Sequence, residues 1–338
     1  MLSKRASKES STTSFVDSCL NMLSAPIRQS LLSRLHVPNY SQHPMLQDGF
    51  AYAHPVKNYH FQLHNSLVCL DEHTMITSTT RGVDVIDLKT GRHRTIHKEK
   101  QVSSLAFLAS SSLLAQSGNE LVVKKLGETR ALPFTLGWEE RMISRCVFFY
   151  SGGRDFLGVC GNNPVQSLFD LETQQQSLKL VTGENTNDFA LCDSRNLFAT
   201  AEDQPLIKLL DLRTGRPCGS ISGSTKNNFA VLFLCENRLA FAGESGNVLI
   251  ADLRNMKVVE GFPRSSPVYS LCYDQSSQIL FSQGSSNLIN AQDLKNKKED
   301  FVFHTFTSGS MALTPSARKL VATVFERNKG LILEFNLC

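Results

Sequence analysis

The chain has 338 residues, of which 41% are hydrophobic, so it can bury a large core as one big domain or two ordinary ones. Its 35 basic and 31 acidic residues leave a formal net charge of +4, which does not provide the concentrated basic face typical of nucleic-acid-binding proteins. No apolar run approaches the roughly 18 residues of a membrane span. We therefore expect neither nucleic acid nor a membrane as a direct partner.

The first 57 residues are predicted to form a tail and a helical extension. Residues 1–13 are polar and are expected to be disordered, although their basic, serine-rich composition leaves a mitochondrial presequence open. Residues 14–57 form the extension and linker, with helices at about 14–23 and 26–35 because Pro26 interrupts an apolar stripe. The segment LSAPIRQSLLSRL resembles the start of an F-box adaptor motif. An amphipathic helix that covers the edge of the next domain explains the same residues.

One short phrase recurs along the rest of the chain. VIDLKTGRH, LLDLRTGRP and LIADLRNMK each end an apolar run and then enter a turn. The leucine of this phrase marks seven positions that are 38 to 45 residues apart: Leu88, Leu126, Leu171, Leu212, Leu253, Leu294 and Leu337. This period matches the roughly 40–45-residue unit of a β-propeller blade.

Each unit is predicted to be one four-stranded antiparallel sheet. The unit around Leu253 has apolar runs at 229–234, 239–242, 248–251 and 258–259, and polar turns separate them. One sheet cannot cover both of its own faces, so the sheets are expected to pack radially. Five of the seven marker leucines follow an aspartate, and we expect each aspartate to accept backbone N–H groups of the turn.

The units resemble WD repeats over about residues 60–338. The resemblance rests on GESGNVLIADLRNMK, EDQPLIKLLDLRTGR and TTRGVDVIDLKTGR. It departs from the family where Ile86, Leu210 or Ala251 replaces the tryptophan of the WD pair, and no unit opens with Gly-His. It implies an all-β fold, a seven-bladed WD-repeat-like β-propeller at 58–338 with a short helical N-terminal extension. The last unit supplies only three strands, so Asn58–Leu63 is predicted to close the ring from the N-terminal side.

Catalytic and metal-binding motifs are not found in the sequence. The nine cysteines form no C-x-x-C pair and have no zinc-site spacing with histidine, which predicts buried thiols in a reducing compartment. We therefore expect no cofactor, no metal and no enzymatic activity, and a location in the cytoplasm, the nucleus or both.

Loops on a rigid scaffold are where binding residues concentrate. The loops predicted to join the second and third strands hold Arg81, Asn119, Asn162, Glu202, Asp203, Glu244 and Arg327. Their mixed charge favours a protein or peptide partner over a polyanion. Ordinary solvated turn residues would show the same composition.

Two turns carry a more specific signal. Asp211-Leu212-Arg213 and Asp252-Leu253-Arg254 match three of the four letters of the WDxR box, with which WD-repeat substrate receptors of cullin-type ubiquitin ligases contact their adaptor. The resemblance implies that Arg213 and Arg254 bind an adaptor, whereas arginine is also common in such turns. Three hypotheses follow: a non-enzymatic protein-interaction scaffold, a ligase substrate receptor, and a propeller enzyme with an active site in its channel.

Overall fold

The computed structural model describes residues 52–54, 66–79, 82–98, 102–117, 121–126, 131–132, 143–161, 164–264, 266–286, 288–296, 301–304, 307–314, 316, 319–326 and 329–336. Almost all of them belong to one compact unit, Ala51–Phe335. The second unit, Met1–Phe50 with Asn336–Cys338, lies almost wholly outside these ranges, as do the predicted tail and helices. No helix in the described ranges is long and apolar enough to cross a membrane.

The described strands form seven four-stranded antiparallel sheets, numbered in chain order after β1 (Tyr52–His54). Sheet 1 holds β2 (Leu67–Cys69), β3 (Thr74–Thr79), β4 (Gly82–Asp87) and β5 (His93–His97). Sheet 2 holds β6 (Ser104–Leu108), β7 (Leu113–Ser117), β8 (Leu121–Lys125) and β9 (Ala131–Leu132). Sheet 3 holds β10 (Ile143–Ser151), β11 (Arg154–Gly161), β12 (Val165–Asp170) and β13 (Gln175–Val181).

The remaining sheets follow the same plan. Sheet 4 holds β14 (Thr186–Cys192), β15 (Leu197–Glu202), β16 (Leu206–Asp211) and β17 (Arg216–Ser222), with a 3-10 turn at Asp193–Arg195. Sheet 5 holds β18 (Asn228–Cys235), β19 (Arg238–Gly243), β20 (Asn247–Asp252) and β21 (Lys257–Pro263). Sheet 6 holds β22 (Val268–Asp274), β23 (Ile279–Gly284), β24 (Leu288–Asp293) and β25 (Phe301–His304). Sheet 7 holds β26 (Thr307–Leu313), β27 (Lys319–Glu326) and β28 (Lys329–Asn336), with β1 added.

The first strands of the sheets line the centre of the fold. Each contacts the first strands of the sheets before and after it, and β26 of sheet 7 contacts β2 of sheet 1. In sheets 1 to 6 the second, third and fourth strands lie progressively farther out in chain order, and in sheet 7 the order outward is β27, β28 and β1. The predicted all-β propeller is thereby confirmed, with one 3-10 turn as the helical element in the described ranges.

The core lies between the sheets, because the middle strands bury both of their faces. In β19, Leu239 and Phe241 pack against sheet 4, and the alternate residues Ala240 and Ala242 pack against sheet 6. The outermost strand of the same sheet, β21, alternates exposed and partly buried residues instead. This explains why the inner runs of each unit are almost continuously apolar.

The recurrent aspartate has the turn role that the sequence predicts. In every case its Oδ1 accepts a backbone N–H two or three residues later, at 2.8–3.0 Å. The five are Asp87, Asp170, Asp211, Asp252 and Asp293. Their spacing therefore reflects the turn after each third strand, and their role is structural.

An N-terminal strand completes sheet 7, but it is not the predicted one. Tyr52–His54 pairs antiparallel with β28, with Ala53 opposite Leu333. The predicted strand Asn58–Leu63 lies outside the described residues, and its place is taken by a segment that begins six residues before the expected boundary at 58. A three-residue strand is too short to give a recognisable alternation, whereas Tyr59, Phe61 and Leu63 alternate clearly.

A polar contact also joins the two ends of the propeller. The Glu72 carboxylate accepts hydrogen bonds from Thr314 Oγ1 at 3.1 Å and from the hydroxyl and backbone N–H of Ser316. Lys319 Nζ donates to the Glu72 carbonyl at 3.1 Å. Partial burial opposes ionisation of Glu72, but the hydrogen bonds outweigh it and lower its pKa. Charge-assisted hydrogen bonds thus hold sheets 1 and 7 together.

Deleting residues 1–54 should cause aggregation, because it removes β1 and leaves the eight-residue strand β28 as an unpaired edge. Deleting residues 1–51 keeps β1 and is the matched control. Size-exclusion chromatography with light scattering should show a soluble monomer for the control and loss of the monomer peak for the longer deletion. A folded monomer of residues 55–338 would contradict the pairing.

The cysteines follow the prediction in part. Cys69, Cys146, Cys160 and Cys192 are buried, and burial raises the pKa of Cys146 to about 11, so its thiol stays protonated. Cys218 and Cys235 are exposed, contrary to the expectation. Cys218 lies on the outermost strand of sheet 4, and Cys235 ends β18 beside a turn.

Candidate protein-binding surface

Two neighbouring sheets end their third strands in the same way. Asp211 ends β16 and Asp252 ends β20, and each Oδ1 accepts the backbone N–H of the arginine two residues later, at 2.8 and 2.9 Å. In sheet 4 the turn is completed by Gly215, whose N–H bonds the Asp211 carbonyl and whose φ is +67°. The backbone therefore brings Arg213 and Arg254 back over the aspartate that precedes them.

Each of these arginines forms a two-bonded ion pair with that aspartate. Arg213 Nε and Nη2 lie 3.1 and 2.7 Å from Asp211 Oδ1 and Oδ2. Arg254 Nε and Nη2 lie 3.0 and 2.5 Å from Asp252 Oδ1 and Oδ2. The arginine side chains remain 72% and 73% exposed. Since guanidinium has five N–H donors and the pairs use Nε and Nη2, the Nη1 side stays open to a partner.

The ion pairs persist over the whole neutral range. The side-chain hydrogen bonds from Arg213, followed by the turn N–H, lower the pKa of Asp211 to about 2. Arg254 has the same effect on Asp252 and lowers its pKa to about 2. Both carboxylates are therefore ionised well below pH 5, so both ion pairs stay charged across the neutral range.

Further groups surround the two turns. In an antiparallel sheet the first–second and third–fourth turns lie at the same end, so Arg195 of the 3-10 turn shares this end with Arg213. Arg195 Nη1 donates to Asn237 Oδ1 at 3.2 Å and links the first turns of sheets 4 and 5. Met256 is 37% exposed and its side chain lies against Gly219 of sheet 4. We call Arg195, Arg213, Arg254 and Met256 the twin-arginine surface.

At the opposite end, Glu202 departs from its prediction as an exposed loop residue. It is the last residue of β15 and is fully buried. Thr200 Oγ1 donates to Oε1 at 2.6 Å, and Lys208 Nζ lies 2.7 Å from Oε2. Burial raises the pKa of Glu202, against the opposing effect of these two bonds. The strand extends to include Glu202, whose carboxylate is held inside sheet 4 by Thr200 and Lys208.

The other predicted loop residues divide into two groups. Asp203 is exposed and accepts hydrogen bonds from the amides of Asn185 and Asn187, at 3.2 and 2.9 Å. Glu244 is partly exposed and lies 3.4 Å from Lys226 Nζ. The rest lie outside the described residues: Arg81, Asn119, Asn162 and Arg327.

One buried carboxylate was not predicted from the sequence. Asp188 of β14 lies 2.9 Å from Arg145 Nε of β10 and accepts the backbone N–H groups of Phe189 and Val231, at 2.8 and 3.0 Å. Burial raises its pKa, while Arg145 and the two N–H donors oppose that rise. Asp188 thus connects the first strands of sheets 3, 4 and 5. The sequence offers one signal for this contact: Asp188 and Val231 are 43 residues apart, which is about one blade period.

Similar bonds link other sheets at or next to their first strands. Ser66 Oγ accepts the N–H of Leu105 at 2.9 Å, and Ser104 Oγ accepts the N–H of Cys146 at 3.0 Å. Within the described ranges, no group of three His, Cys, Asp or Glu side chains has an arrangement suited to a metal ion.

Comparison with solved structures confirms the fold. The WD40 beta propeller domain of Doa1 superposes with a TM-score of 0.71 and covers 84% of this chain and 97% of that one. The two are 14% identical, so the likeness shows the fold alone. No family model and no curated protein matches the sequence.

Proposed function

We propose that this propeller is a non-enzymatic protein-interaction scaffold whose twin-arginine surface docks on the adaptor of a cullin-type ubiquitin ligase. The observation that carries the proposal is the repetition of one geometry on sheets 4 and 5. In both, an exposed guanidinium is held by two bonds to the aspartate that ends the third strand. A side chain that is already ordered loses less entropy on binding, and arginine is enriched among the residues that dominate interfaces.

The missing tryptophan of the box does not weaken this support. The positions that precede the two aspartates are Leu210 and Ala251, and both are fully buried. A residue there acts in packing, whereas the arginine three positions later is exposed. The proposed adaptor-binding residues of the motif are therefore Arg213 and Arg254. The corresponding turns of sheets 1 and 6 carry a lysine at this position, Lys89 and Lys295.

We further propose that the seven sheets are the seven blades of one closed ring. The contact between β26 and β2 and the bonds of Glu72 to Thr314 and Ser316 support this closure. A cytoplasmic or nuclear location is also proposed. The seven described cysteines are free thiols, which suits a reducing compartment.

Affinity purification of the tagged full-length chain, followed by mass spectrometry, tests the function. We expect a cullin and its adaptor to co-purify with the chain in amounts close to stoichiometric. A variant with Lys89 and Lys295 changed to alanine is the control, because it alters the same turn position on two other sheets. Recovery of other proteins without cullin or adaptor would reduce the proposal to a scaffold with different partners.

A further inference from the structure

The first strands of sheets 3 to 6 share a bulge at their second residue. The register shifts between Ile143 and Arg145 in sheet 3, and the same shift recurs in the next three sheets. A bulge turns a side chain out of the regular alternation. The four residues turned in this way lie at the central end opposite the twin-arginine surface: Ser144, Asn187, Phe229 and Tyr269.

Two of these bulged residues form an aromatic pair that is partly exposed. The rings of Phe229 and Tyr269 are stacked, with centroids 5.3 Å apart and an angle of 26° between planes. Tyr269 is 44% exposed. Stacked aromatic rings at a protein surface offer a π face that attracts cations as well as apolar groups.

The polar groups beside the pair favour a cation. The Asn187 amide donates both to Asp203 Oδ1 and to the carbonyl of Asn228, each at 2.9 Å, and so holds Asp203 next to the residue that precedes Phe229. Glu244 is held on the same segment, because its N–H donates to the Asn227 carbonyl at 2.9 Å. Lys226 pairs with Glu244, whereas the bonds to Asp203 come from neutral amides. Among the described residues, Asp203 thus has no cationic partner.

We propose that this end of the central strands binds an arginine or lysine side chain of a partner peptide. The cation lies on the Phe229–Tyr269 pair and has Asp203 as its counter-ion. An apolar side chain would leave the Asp203 carboxylate uncompensated, and an anion would be repelled by it. The inference rests on the scaffold function proposed above, and it assigns the client to the end opposite the adaptor.

Fluorescence anisotropy with labelled hexaarginine, hexacitrulline and hexaglutamate tests the site on the full chain. Citrulline keeps the shape of arginine but is neutral. We expect hexaarginine to bind at least tenfold more tightly than hexacitrulline, and hexaglutamate not to bind. General charge attraction does not produce this order, because the chain has a net charge of +4. Equal binding of hexaarginine and hexacitrulline, or stronger binding of hexaglutamate, would overturn the proposal.

Single substitutions test whether the cation binds at the Phe229–Tyr269 pair and Asp203. Tyr269→Ala and Asp203→Asn should each weaken hexaarginine binding at least fivefold, and Tyr269→Phe, which keeps the ring, should preserve it. Tyr150→Ala is the matched control, since Tyr150 is 59% exposed at the other end of a first strand. An equal loss in Tyr150→Ala and Tyr269→Ala would reject the site. The Arg213/Arg254 double variant should lose adaptor binding and keep hexaarginine binding. This result would show that the two sites are independent, so that this inference and the ligase proposal are tested separately.

Discussion

Replacing Asp188 with alanine should lower the free energy of unfolding by about 3 kcal/mol, because two buried backbone N–H groups lose their acceptor at about 1–3 kcal/mol each. These are the N–H groups of Phe189 and Val231. The change also releases Arg145, whose side chain is 48% exposed and can be hydrated. The desolvation that raises the pKa of Asp188 is relieved at the same time, which keeps the loss from being larger.

Equilibrium unfolding in urea measures this loss. Asp203→Ala is the control, because it removes an exposed carboxylate one strand away and should stay within about 0.5 kcal/mol of the unmodified chain. Asp188→Asn should fall between the two, since its one amide oxygen can accept from one N–H but its NH₂ group cannot accept from the other. An Asp188→Ala variant no less stable than Asp203→Ala would show that the connection between sheets 3, 4 and 5 contributes nothing.

Replacing Arg213 and Arg254 together with alanine should weaken adaptor binding at least a hundredfold, since arginines at the centre of an interface commonly dominate its affinity. The melting temperature should not change, because both side chains are exposed and pair only within their own turns. Surface plasmon resonance and differential scanning calorimetry on the same samples measure the two effects. The Lys89/Lys295 double variant should retain full binding.

The pH dependence adds a second readout for the same surface. The pKa of Asp211 and that of Asp252 are lowered to about 2, so the stability that these pairs contribute is present above the ordinary aspartate pKa and is lost only as pH falls through about 2. Adaptor binding by the unmodified chain should therefore not change between pH 5.5 and 8. Unchanged binding in the arginine double variant would remove the specific support for the ligase proposal.

The sequence predicts the parts of this fold that repeat. Asp87, Asp170, Asp211, Asp252 and Asp293 recur at the blade period, and the structure gives each the same turn contacts. The closing strand has no such repetition. Tyr52–His54 pairs with β28 through its backbone, and backbone pairing leaves little trace in a three-residue segment.

The candidate site residues show the same difference between repeated and unrepeated features. Arg213 and Arg254 can be identified from the sequence because each lies in a recognisable turn. Glu202 is predicted as an exposed loop residue, whereas it ends a strand and pairs with Lys208. Strand ends are uncertain by about one residue, and here that one residue decides whether the carboxylate is exposed or buried. Phe229 lies in the predicted apolar run 229–234, and no pattern in the sequence marks Tyr269, since a bulge changes the direction of a side chain without changing the residue type.

The contact of Glu72 with Thr314 joins residues that are 242 positions apart, so it can form only after the ribosome has added Thr314 to the chain. At ribosomal elongation rates of about 5–20 residues per second, Glu72 waits roughly 10–50 s for its partner to be made. Blades formed from neighbouring segments can fold during that interval, because their contacts are local. A premature stop codon inside sheet 7 would remove β28 and with it the partner of β1. Such a truncation should therefore expose an edge at both termini and be far more damaging than the few residues lost suggest.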